Sequence, residues 1–185
     1  MRQIIVVFAG LLLFASCSDL KKGQHLDSIK AMNYSLDSLE KVLQANQIDT
    51  LPGLITATMT LELRIKNNYN ADTLDMELGK KMDHFKRTRK SLKPLGTSYS
   101  SVRVGIKEER EILEKLKKDI TEGNGNRKKY SEYIEFEQNK VDQLRKLLAA
   151  YITEKEKVLN ELGRIYPELN AYSIELLRKN QHKKK

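Results

Sequence analysis

The chain has 185 residues, a formal net charge of +9, 32% charged residues, no tryptophan and one cysteine. That single cysteine excludes an intrachain disulfide, so any fold must stand on packing alone. Leu, Lys and Glu are the commonest residues while Gly (9) and Pro (3) are sparse, a composition that favours helices over sheet.

Residues 1–17 carry the three-part pattern of an export signal. Arg2 supplies the positive charge, and Ile4–Phe14 (IIVVFAGLLLF) is an uninterrupted apolar run of 11 residues. A membrane-spanning helix needs about 20. Phe14-Ala15-Ser16-Cys17 then resembles the lipobox cut by the bacterial lipoprotein signal peptidase, although Phe14 stands where leucine is commonest. The resemblance implies that Cys17 becomes the mature N-terminus and carries a diacylglycerol and an amide-linked acyl chain. Two or more chains give stable anchoring. The Ser18-Asp19-Leu20-Lys21-Lys22 segment has one Asp rather than the acidic run of surface-exported Bacteroidetes lipoproteins. The expected location is therefore the cell envelope, lipid-anchored in the outer membrane and facing the periplasm. Residues 1–16 form the signal, 17–25 the lipidated N-terminus and a tether, 26–179 a helical bundle and 180–185 a basic tail. Eight tether residues (18–25) reach at most ~26 Å.

A first helix is predicted over 24–45, since Ile29, Met32, Leu36, Leu39 and Leu43 recur at steps of 3 and 4. Residues 46–50 read as a turn. Pro52-Gly53 marks the start of a second helix to about 68, with Asp49 or Thr50 as cap. Met59, Leu61, Leu63 and Ile65 alternate as in a strand, but Leu51, Ile55, Met59 and Leu63 also fit one helix face, and no partner strand is in sight. Asn67-Asn68-Tyr69-Asn70 weakens the helix, and Asp72 or Thr73 can cap a third helix to about 92, with Leu74, Leu78, Met82 and Phe85 inward. Whether 52–68 and 72–92 form one bent helix or two stays open. Lys93-Pro94-Leu95-Gly96 is predicted to break the chain before a helix over 98–122, with Val102, Ile106, Leu113, Leu116 and Ile120 inward. Gly123-Asn124-Gly125-Asn126 ends it, and Asn126 can cap the next.

The last helix carries the longest seam. Ile134, Glu137, Val141, Leu144, Leu148, Tyr151, Lys155, Val158, Leu162, Ile165, Leu169, Tyr172 and Leu176 follow steps of 3 or 4 throughout. Leu147, Ile152, Leu159 and Tyr166 widen the stripe, so this helix is expected to face at least two neighbours. Pro167 interrupts it opposite Gly163, the least hindered residue for a proline ring to crowd. The expected fold is all-α: an antiparallel helical bundle with a long kinked C-terminal helix and a coiled-coil-like helical hairpin. A helix of about 50 residues extends ~75 Å, a length suited to a spacer.

The lipobox together with the Lys93–Gly96 and Asp119–Gly125 segments resembles small helical lipoproteins of Bacteroidetes type, over most of the mature chain. The resemblance carries no assigned activity.

No catalytic constellation is visible, and no cofactor or metal site is expected. His25, His84 and His182 are too far apart for a local metal motif, and no phosphate-binding glycine loop or G-x-S-x-G occurs. Asp83-His84 suggests an ion pair but reads as a surface face. Glu108, Glu109 and Glu111, interleaved with Arg110, Lys115, Lys117 and Lys118, read as a solvated face of i,i+4 pairs. Tyr130, Tyr133, Tyr151, Tyr166 and Tyr172 read as core or rim residues. Lys86, Arg87, Arg89 and Lys90, and Arg127, Lys128 and Lys129, are candidate contacts to an anionic surface. The terminal Lys183–Lys185 reads as a frayed tail.

The expected function is that of a non-enzymatic envelope lipoprotein, an adaptor, interaction module or spacer. Its partners are the membrane, through the N-terminal lipid, and another envelope protein or a second copy, with no role for nucleic acid. The alternative is a helical carrier of a lipid or anionic glycan, with Met59, Met82, Phe85 and tyrosines lining its pocket.

Overall fold

The computed structural model describes the backbone of residues 2–70, 73 and 75–183, and the side chains of 21–70, 73 and 75–182. The Cys17 side chain, the cap candidate Asp72, the core candidate Leu74 and the terminal Lys184 and Lys185 lie outside the described residues. Within them the fold is all-α: α1 (Arg2–Ala45), α2 (Leu51–Asn68), α3 (Met76–Glu122) and α4 (Tyr130–Lys183), with one turn of 3₁₀ helix at Arg127–Lys129. No helix among the described residues is long and apolar enough to cross a membrane.

The chain divides into two compact units, one of residues 1–45 and 102–147, the other of 46–101 and 148–185. Each is a three-helix bundle, and α3 and α4 contribute to both.

In the first unit α1 runs antiparallel to α3: Lys22 meets Thr121, whereas Asp37 and Glu40 meet Arg110. The α3–α4 hairpin is antiparallel too, because its turn is short. Ile29, Met32, Leu36, Leu39 and Leu43 are all buried, as are Val102, Ile106, Leu113, Leu116 and Ile120, so both apolar stripes face the core as their spacing predicts. Gly105 allows α3 and α4 to approach closely, since a Cβ there would sit 2.6 Å from Leu144 Cδ2. The hairpin turn uses left-handed backbone at Gly123 (φ 72°) and Gly125 (φ 73°), which glycine adopts without strain. Asn126 caps the 3₁₀ turn, its side chain accepting from Lys128 N at 3.2 Å. Buried Tyr130 closes the turn by donating its hydroxyl to the carbonyls of Asp119 (3.0 Å) and Asn124. Helix α1 already includes residues 18–25, so the expected tether is helical and its last five residues belong to the bundle.

In the second unit α2 and the first part of α3 are two helices, which answers the open question about residues 52–92. The true cap of α3 is Asp75: its Oδ1 accepts from Glu77 N and Leu78 N, both at 3.0 Å. Thr50 precedes α2 without a side-chain cap bond, and a proline fills the first turn. The buried face of α2 is Thr58, Leu61 and Ile65, not the expected Leu51-Ile55-Met59-Leu63 stripe; Met59 and Leu63 are 46% and 54% exposed. Thr58 can take a core position because its hydroxyl donates to Leu54 O at 2.7 Å, leaving no unsatisfied polar group.

The expected break at residues 93–96 is absent, and α3 continues through Pro94. Pro94 is exposed, so the Lys90 carbonyl that loses its partner can be hydrated, while buried Leu92 and Leu95 hold the helix on either side. Gly96 serves a close approach instead: a Cβ there would lie 3.2 Å from Leu51 Cδ2. Helix α4 likewise continues through Pro167.

The α4 seam is buried at Val141, Leu144, Leu148, Tyr151, Val158, Leu162, Ile165 and Leu169. Leu147, expected to widen it, is 53% exposed. Two polar residues of α4 in the second unit find partners across the bundle. Lys155 Nζ donates to Asn46 Oδ1 at 2.6 Å, and fully buried Ser173 accepts from Arg64 Nη1 at 3.2 Å.

Truncating a fully buried seam residue removes transfer energy and leaves a cavity. We expect Leu113→Ala and Phe85→Ala each to cost about 2–5 kcal/mol, and Met59→Ala and Leu147→Ala to stay within about 0.5 kcal/mol. Urea unfolding midpoints followed by circular dichroism check both pairs.

Candidate functional site

Two arrangements in the first unit stand out chemically. The first is a cleft of about 340 Å³ where the beginning of the described part of α1 meets the α3–α4 turn. Lys21, Lys22 and His25 line it from α1, and Arg127, Lys128 and Tyr130 from the turn and the start of α4. Its shape follows from the local chain. Gly123 is left-handed, and any Cβ there would collide with the Arg127 guanidinium, so the glycine makes room for that side chain to fold back. Arg127 Nε donates to Gly123 O at 2.9 Å, and Lys22 Nζ donates to Thr121 O at 2.8 Å. His25 meets the Tyr130 ring edge-on at 6.2 Å. The one carboxylate in the lining, Glu122, accepts from Asn124 at 2.7 Å. Four fixed cations thus face a single carboxylate. Lys129 is exposed on the same turn but does not line the cleft.

The second candidate cluster lies on α3 in the other unit, and there the four residues separate. Arg89 is bound to Glu62 of α2 at 2.7 Å in a half-buried ion pair, and Arg87 pairs with Asp83 at 3.4 Å. Lys86 and Lys90 are exposed. Asp83 does not pair with His84. Instead His84 Nε2 lies 2.8 Å from Glu161 Oε2 on α4, and Arg164 Nη2 reaches the same oxygen at 2.9 Å. The His84 hydrogen bond and the Arg164 charge hold the Glu161 carboxyl below the usual carboxylate range.

The second arrangement corrects the sequence reading. Glu108 and Glu111 are exposed, but Glu109 is 4% exposed and faces Glu137 of α4, which is 8% exposed. Glu109 occupies the α3 seam between Ile106 and Leu113, completing the 3–4 spacing of 102, 106, 109, 113, 116 and 120. Glu109 Oε1 and Glu137 Oε2 are buried without a hydrogen-bond partner. Burial, the neighbouring Glu137 charge and a hydrogen bond to Glu137 push the Glu109 carboxyl up to about 7, against the pull of Lys140. The Glu109 carboxyl therefore keeps its proton up to near neutrality. Neither Glu109 nor Glu137 lines the basic cleft or the three clefts described next.

A groove of about 590 Å³ between α1 and α3 is crossed by Arg110, whose two terminal nitrogens hold Asp37 (2.6 Å) and Glu40 (2.8 Å). In the second unit a cleft of about 390 Å³ gathers Tyr69, Tyr172, Asn70, Asn180 and Lys179, and a smaller one holds the Lys81–Glu168 pair at 2.5 Å. Of the residues expected to line a carrier pocket, Phe85 is fully buried in the core and Met59 points outward, so they do not converge on a cavity. Among the described residues no group of three or more His, Cys, Asp or Glu is placed to hold a metal ion.

No protein-family model, curated protein or solved structure matches this chain.

The raised Glu109 pKa makes stability depend on pH with a definite sign. The contribution is fully present below the ordinary value of 4.5 and is lost as pH rises through about 7. We expect unfolding free energy to fall by about 2 kcal/mol between pH 5.5 and 8.5. Glu109→Gln, which mimics the protonated acid, should remove most of that slope. Urea melts at the two pH values check this; an unchanged slope in Glu109→Gln would assign it to another group.

Proposed function

We propose that this chain is a lipid-anchored bacterial envelope lipoprotein whose helical bundle acts as a non-enzymatic interaction module, an adaptor or a spacer. The carrying observation is the Arg2, Ile4–Phe14 and Ala15-Ser16-Cys17 series, in which the one cysteine of the chain stands where acylation requires it. The packing of α1 adds support. Lys22 and His25 are already joined to the bundle, so a lipid on Cys17 would hold the folded domain close to the bilayer rather than on a long leash.

The buried carboxylates are the feature that most resembles catalytic machinery. Paired acids that cleave glycosides must flank a substrate in an open cleft. Glu109 and Glu137 instead sit in the seam between Ile106 and Leu113 on one helix and beside Val141 on the other. That placement favours a role in packing and register over one in chemistry.

Intact-mass analysis of the full chain, expressed in a bacterium that processes lipoproteins and extracted from its membranes, tests the anchor. We expect a chain beginning at Cys17 with the added mass of a diacylglycerol and an acyl group, and no such species from Cys17→Ala. A free Cys17 thiol, or cleavage at another residue, would overturn the reading.

A further inference from the structure

We propose that the basic cleft of the first unit is a receptor for the phosphate-bearing headgroup of an anionic phospholipid, holding the membrane-proximal end of the bundle in a set orientation. Two of the four cations are held before any ligand arrives. Arg127 is held by its Nε bond to Gly123 O, which leaves its two terminal nitrogens without an acceptor among the described residues. A guanidinium with its outer edge free matches two phosphate oxygens at once. Lys22 spends one proton on Thr121 O and keeps two. Lys21 and Lys128 line the same space and form no ion pair with a described carboxylate. Glu122, the one acid in the lining, is turned to Asn124. The cleft volume of about 340 Å³ suits a headgroup rather than an acyl chain, since its walls carry charge and backbone carbonyls.

Position favours a lipid over a soluble anion. Lys21 follows Cys17 by four residues within one helix, a rise of ~6 Å. The headgroup layer on one side of a bilayer is about 5–7 Å thick. An acyl chain on Cys17 therefore sets Lys21 and Lys22 at headgroup depth, and the Arg127–Lys128 turn packs against that same end of α1. The cleft's placement at the bilayer rests on the proposed acylation; its affinity for an anionic phosphate does not.

The test is an NMR titration of the full chain as purified from membranes, in detergent, reading the amides of residues 119–131. The probes are dihexanoyl-phosphatidylglycerol, dihexanoyl-phosphatidylcholine and inorganic phosphate. We expect saturable shifts with the glycerol lipid, weaker ones with the choline lipid and with phosphate alone, and loss of the preference at high salt. Lys21→Gln with Lys128→Gln touches no side-chain hydrogen bond of the fold and should weaken the glycerol lipid by at least about tenfold. Lys86→Gln with Lys90→Gln, in the other unit, should leave it unchanged. Equal response to both lipids, or an unaffected Lys21/Lys128 variant, overturns the proposal. Phosphate alone binding as tightly as the glycerol lipid overturns the lipid assignment and makes the cleft a soluble-anion site. Failure of the anchor is read separately by mass at Cys17: an unacylated chain that still prefers the glycerol lipid loses the anchor and keeps the cleft.

Discussion

The apolar seam of α4 is the constraint from which the remaining packing follows. In both units the other two helices bury their stripes against it, and in both the same α3–α4 antiparallel pair supplies two of the three helices. Apolar stripes attract without specifying register, because a slide by one heptad repeats the same surface. Register is set by the seam positions that are not apolar. Glu137 is buried facing Glu109, half-buried Lys155 donates to Asn46, and buried Ser173 accepts from Arg64. A slip would part Lys155 from Asn46 and Arg64 from Ser173, and would bring a buried carboxyl against an apolar neighbour, which costs several kcal/mol if it is charged.

The long stripes were legible because period 3–4 spacing survives wherever one face is fully buried. All five positions read from residues 29–43 and all five from 102–120 are in the core. Three features were hidden for identifiable physical reasons. The α2 face runs through Thr58, whose polarity is cancelled by a bond to its own backbone, so hydropathy pointed to Met59 and Leu63 instead. Proline and glycine at 94 and 96 look like a break, yet the helix continues because the proline and the carbonyl it crowds face solvent while the flanking leucines are buried. Glu109 looked like one acid among many on a charged face. The signal that could have found it was the seven-residue gap from Ile106 to Leu113, which a continuous seam must fill at 109 or 110, with a second acid, Glu137, already in the facing stripe.

Of the two basic clusters that looked equivalent along the chain, the structure separates one into ion pairs and gathers the other into a cleft. Arg87 and Arg89 are committed to Asp83 and Glu62, and the sequence holds no hint of the latter because Glu62 lies on another helix. Arg127 and Lys128 meet Lys21 and Lys22, which the chain's own order places next to the proposed lipid. A tight glycine turn thus reverses the chain between α3 and α4 and, in the proposed reading, presents cations to anionic headgroups. The buried Glu109 gives the same unit a stability that declines as pH rises from about 4.5 through about 7.

The central claim is an anchored domain that acts by engaging another envelope component. Photo-crosslinking of the acylated chain in intact cells, with mass spectrometric identification and Cys17→Ala as control, tests it most directly. The account predicts one or a few specific envelope proteins that disappear in the control. Recovery of lipids or glycans alone, or of nothing above background, would contradict the adaptor role and leave a carrier as the reading to pursue.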